Sequence, residues 1–262
     1  MVGGAAAVLT RRELTSRLAL FATLAVALAV YYAVVDKLWH ASTDWDVAFL
    51  ALCLIPAVFA LVYLALPLRL ARGLLLLALA FGLVALVLER ADADIPANFA
   101  KLGAMAAFGF WFLSYFERVS WVVLVAVLVP IVDAFSVFRG PTRHIITKRE
   151  EIFTALSFAF PVPGGGVARL GLPDLLFFAL FLAAAARFKL RVAPTWLGMT
   201  LSFGLTLALA TWVEAVGLPA LPLLCVAFLA TNADLLLRAL RAERDEARDR
   251  NRLATRAEDD RS

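Results

Sequence analysis

Charge is scarce in this chain for its length. Of 262 residues only 18% are Asp, Glu, Lys or Arg, and there are two histidines and two cysteines. His40 and His144 are isolated, and Cys53 and Cys225 stand far apart inside apolar runs. No metal-ligand spacing exists, so no bound metal is expected. The cysteines read as small buried hydrophobes. The net charge of +4 comes from arginines gathered at the ends of apolar runs, which mark membrane topology and not a nucleic-acid surface. Polar residues are also too few for a globular protein in water: 63% of the chain is apolar, where a soluble domain has about half.

The excess is leucine, alanine, valine and phenylalanine, arranged in blocks, and the mean hydropathy is +0.87. Several blocks approach the ~20 residues with which a helix spans hydrocarbon. They predict an all-α polytopic transmembrane bundle in the lipid bilayer, with spans at about 17–35, 46–66, 70–89, 97–116, 119–138, 171–188, 194–215 and 219–238. That makes about eight, with nine possible. Arg11, Arg12 and Arg17 precede the first run, which ends in AVYYAVV and not in the small residues of a cleavage site, so it is expected to be a retained span. PLRLARG, ERADADIP and RGPTR separate later spans. The one long loop, 139–170, carries TKREE and then FPVPGGG, and loops of that length are usually functional or disordered. The expected organisation is a 1–16 amino-terminal segment, a 17–116 four-span bundle, a 117–238 four-span half containing the loop, and a 239–262 charged tail.

Arginine and lysine bias sets the expected orientation. Arg69, Arg72, Arg118, Arg187, Lys189 and Arg191 fall on the side of both termini, which is therefore read as cytoplasmic. The long loop then lies outside, although its own five basic residues pull the other way.

Ionisable residues inside spans are functional candidates because they are costly there. Most have ordinary explanations. Lys101 can snorkel from a span end, Glu89, Arg90 and Glu214 bound spans, and Asp234 is four residues from Arg238, which permits a helical ion pair. Asp133 and Asp174 differ. The first lies six residues before Arg139 and the second five after Arg169, on two spans that run in opposite directions from one loop. At 1.5 Å per residue both carboxylates sit about 7–9 Å below the same face, where they could meet. Two carboxylates in a low dielectric cannot both ionise readily, so such a pair shares a proton. One member can then deprotonate water while the other polarises a carbonyl. A proton-coupled transporter would also bury acids, and depth alone does not separate the two readings.

Motifs around the aspartates add to this. Val132-Asp133, Gly171-Leu172-Pro173-Asp174 and Pro219-Ala220-Leu221 occur in that order, one to a span, with one span between the second and the third. The arrangement resembles the presenilin and signal peptide peptidase family, the GxGD intramembrane aspartyl proteases. That family places one aspartate in Tyr-Asp, the second in Gly-x-Gly-Asp, and opens its last span with Pro-Ala-Leu. VDAFSVFRGPTR and ARLGLPDLLFFAL resemble the family's stretches around the two aspartates. The likeness covers about 119–238; the earlier spans match only as generic membrane helices, four where the family has five.

The resemblance implies a prokaryotic homologue in the plasma membrane that hydrolyses peptide bonds within transmembrane helices, such as signal-peptide-like or single-pass substrates. Asp133 and Asp174 would be the catalytic residues. Gly171, Leu172, Pro173, Pro219, Ala220 and Leu221 would contact substrate, and the GGG region would grip it as an extended strand. Two positions depart from the family pattern: Val132 replaces the tyrosine and Pro173 the second glycine. Proline is compatible with a first helical turn but removes glycine's flexibility. A relative that binds transmembrane helices without cutting them therefore stays open beside the protease. The sequence specifies no oligomeric state.

Overall fold

The computed structural model describes residues 11–40, 42–139, 154–164, 166–212 and 218–259. It is 84% helical. The helices are α1 (Arg11–Val34), α2 (Thr43–Phe49), α3 (Ile55–Ala65), α4 (Leu74–Arg90), α5 (Asp94–Phe112), α6 (Val119–Arg139), α7 (Leu172–Arg187), α8 (Val192–Trp212) and α9 (Leu221–Asp259). A π-helical stretch, Leu50–Leu54, joins α2 to α3 as one continuous rod. Among the described residues four segments are long and apolar enough to cross a membrane: Arg12–Lys37, Thr43–Leu70, Val192–Trp212 and Leu221–Arg250. The chain is thus a helical bundle of membrane-protein type.

Among the described residues two strands interrupt the helices. Within the expected loop, β1 (Ser157–Val162) and β2 (Gly166–Gly171) form an antiparallel hairpin in which Ser157 faces Gly171 and Ala159 faces Arg169. The expectation of an all-α chain is corrected to that extent. TKREE and Glu214 lie outside the described residues.

α7 is the axis of the bundle. It is apolar on every side, as a helix surrounded by other helices must be, and Phe178 to Ala185 are all fully buried. Phe178 packs on Phe59 of α3 with ring centres 4.1 Å apart, and Phe181 stacks on Phe228 of α9 at 4.7 Å. Along a third side runs α5. A Cβ on Gly109 would come within 2.6 Å of the Leu176 carbonyl oxygen and 3.0 Å of the Ala179 Cβ. Only glycine lets the two backbones approach so closely, the device by which membrane helices replace the hydrophobic drive that lipid removes.

α6 and α9 form an antiparallel pair that fixes the other side. At one end Glu243 accepts from the backbone N–H groups of Val119 (2.8 Å) and Ser120 (3.4 Å), so α9 satisfies orphan donors at the start of α6. At the other end Leu221 meets Asp133. α9 continues without a break past residue 238 as one 39-residue helix. One buried cluster runs from Leu28 in α1 to Leu236 in α9.

Candidate active site

The sequence of each element accounts for where its side chain ends up. In α6, Pro130 has no N–H to give the Ala126 carbonyl, which opens one rung of the helix a turn before Asp133. Asp133 stands in the penultimate turn of α6. Asp174 stands in the first turn of α7, at the third helical position after the cap residue Gly171. Gly171 donates its backbone N–H to Asp174 Oδ2 at 3.1 Å, so the carboxylate caps its own helix. A side chain at Gly171 would bring its Cβ within 3.1 Å of that oxygen, close enough to press on the capping carboxylate. Pro173 occupies the second helical position, where its missing N–H has no partner to lose.

Asp133 and Asp174 line the same cavity, of about 320 Å³, and lie within Coulombic range of each other. Gly171, Pro173, Pro219, Ala220 and Leu221 line it as well. Of the residues selected from sequence, Leu172 alone is not on its wall; its N–H instead extends the hairpin ladder to the Leu156 carbonyl at 3.0 Å. The Leu221 backbone N–H lies against the Asp133 carboxylate, a contact that joins the Pro-Ala-Leu turn to the first aspartate. The second oxygen of Asp133, Oδ2, is buried and has no hydrogen-bond partner. An orphaned carboxylate oxygen facing such a cavity is a place for a water molecule or a substrate group. Val132, the residue before Asp133, is exposed on the outside of α6 and does not reach the cavity.

The remaining wall comes from residues that sequence reading passed over. Phe160 and Leu170 of the hairpin, Phe203 and Thr206 of α8, and Leu50 and Ile55 of the π-helical rod enclose the apolar side. Cys225, one turn beyond Leu221, is buried with its thiol in Coulombic range of both carboxylates. Only its place four residues after Leu221 on one helix hinted at this. Cys53 corrects the opposite way, being exposed on the bundle surface where a buried residue was expected.

Lys101 does not snorkel. It is buried under the hairpin, pairs with Glu89 at 2.7 Å and donates to the carbonyls of Thr154 and Ser157, each at 3.3 Å. Asp234 pairs with Arg191, at 2.6 and 2.9 Å, and not with Arg238. Among the described residues no group of three or more His, Cys, Asp or Glu side chains is placed to hold a metal ion.

No protein-family model matches the sequence, and no curated protein is similar to it.

Proposed function

We propose that the chain is an intramembrane aspartyl endopeptidase of the presenilin and signal peptide peptidase type, with about eight spans, that cuts transmembrane helices at Asp133 and Asp174. The observation that carries this reading is the convergence of two acids from different helices on one cavity beside the Pro219–Leu221 turn. No cofactor is required. With one proton between them, the ionised carboxylate takes a proton from water, the resulting hydroxide adds to the scissile carbonyl carbon, and the neutral carboxyl gives its proton to the carbonyl oxygen. Collapse of the tetrahedral adduct breaks the C–N bond as the amide nitrogen is protonated. The roles belong to the pair, since coupled groups titrate together.

A transmembrane helix has all its amides paired, so the substrate must unwind before its carbonyl reaches the acids. β2 offers the unwound segment a strand edge, and that edge runs directly into Gly171 and Asp174. One observation favours a second reading, a protein that binds such helices without cutting them: Asp174 already caps its own helix. Single Asp133→Asn and Asp174→Asn variants with a helical reporter substrate separate the two. Each variant should lose cleavage by about 10³-fold or more. A wild type that cuts nothing, or a variant that cuts at the wild-type rate, rejects the protease; proton-linked uptake lost in the same variants would instead support a transporter.

Both termini are cytoplasmic in this reading, which favours substrates with cytoplasmic amino termini. A carboxy-terminal reporter active only in the cytoplasm should give signal, and a silent one reverses the orientation.

A further inference from the structure

The hairpin has two edges, and they are treated differently. On β1, Ala159 donates its N–H to Asn98 Oδ1 at 2.9 Å and accepts from Asn98 Nδ2 at 2.8 Å. The Tyr32 hydroxyl donates to the same carbonyl at 2.8 Å, and the Tyr31 hydroxyl donates to the Pro161 carbonyl at 2.9 Å. Asn98 is 5% exposed and presents its amide as the backbone of a neighbouring strand would. The groups of Ala159 therefore point away from β2. Its register partner Arg169 is then a non-hydrogen-bonded position whose N–H and C=O point out of the opposite edge, as do those of Val167 and Gly171. The Gly171 N–H goes to Asp174. Among the described residues no hydrogen bond meets the backbone groups of Val167 or Arg169.

Asn98 belongs to the same helix as Gly109, whose close contact with Leu176 and Ala179 locks α5 to the helix that carries Asp174. Eleven residues separate the two points, about 16 Å along a rigid rod. α5 thus holds the hairpin at one end and the aspartate's helix at the other.

We propose that Asn98 is a positioning residue for cleavage: it closes the β1 edge, sets the height of the hairpin relative to Asp174, and so determines the register in which an extended substrate segment adds to β2. This rests on the proteolytic reading above. Asn98 touches neither aspartate, and its effect reaches the scissile bond only through the hairpin.

The test uses the full-length protein in proteoliposomes with a helical reporter substrate, reading product masses together with kcat and KM. Asn98→Leu removes both bonds to Ala159 at similar volume, and Tyr32→Phe removes one hydroxyl with almost no change in shape. Asn98→Leu should move the dominant cut by about two residues, the slip that keeps strand faces in phase, and raise KM about fivefold. Tyr32→Phe should enrich the same shifted product to a smaller extent. Cleavage by both variants at the wild-type bond with wild-type KM overturns the proposal. So does a loss of kcat at the unshifted bond with KM unchanged, which would mark Asn98 as a fold-stabilising residue only. If Asn98→Leu does not accumulate, Tyr32→Phe decides alone, and an unchanged product ratio is negative. A wild type without cleavage fails at the proteolytic reading itself, an outcome distinct from cleavage that ignores Asn98.

Discussion

α4 and α7 are nearly the same length and equally apolar, yet they occupy opposite environments. In α4, Leu76 is 72% exposed and Leu83 is 64% exposed, with Leu79, Leu86 and Val87 similarly bare, while α7 has no exposed side chain from Leu175 to Ala186. In water such a contrast would be written as polar against apolar faces. Lipid is as apolar as leucine, so a membrane helix is sorted by size and shape. α4 is mostly leucine and valine; α7 alternates phenylalanines with a run of four alanines and lets α5 approach through Gly109. The buried helix is also the one that starts with a catalytic candidate.

That contrast can be broken in ways that differ in size. Phe181→Ala in α7 leaves a hole between Phe177 and Phe228 and should destabilise the bundle by about 2–3 kcal/mol, the cavity part of such a truncation. Leu83→Ala in α4 should cost under about 0.5 kcal/mol, because its side chain is 64% exposed and its loss leaves no packed cavity. Unfolding in mixed micelles measures both, and equal losses would deny α7 its central place. Gly109→Ala should cost about 1–3 kcal/mol, since the added methyl meets a backbone carbonyl that cannot move aside. Gly82→Ala in α4 has nothing within 4 Å of the new methyl and should be neutral or stabilising by under about 1 kcal/mol through helix propensity. The same unfolding assay reads this pair, and a Gly109→Ala protein as stable as wild type would remove the close α5–α7 contact from the account.

The helical character was legible in the sequence, because the apolar blocks fall on helices among the described residues, four of them long and apolar enough to cross a membrane. So was the meeting of the two aspartates on one cavity, since flanking Arg139 and Arg169 locate them in depth and a single loop makes their helices antiparallel. The hairpin was not. Ser157, Phe158, Ala159 and Phe160 alternate as a strand should, but Pro161 and Pro163 nearby read as loop. Its anchors were invisible for a different reason: Asn98, Tyr32 and Lys101 act on backbone groups 53 to 127 positions away, and local pattern carries no information about such partners. Pairing of Asp234 failed likewise, as the nearest basic residue in sequence lost to Arg191 across the bundle.

The central claim is that Asp133 and Asp174 work as one unit, and a double-mutant cycle on the cleavage rate tests it most directly. Wild type, Asp133→Asn, Asp174→Asn and the double variant are compared on one reporter substrate in proteoliposomes. Groups that share one proton are non-additive, so each single variant should fall to about the rate of the double. Losses that multiply, or a single variant retaining most of the wild-type rate, would contradict the dyad.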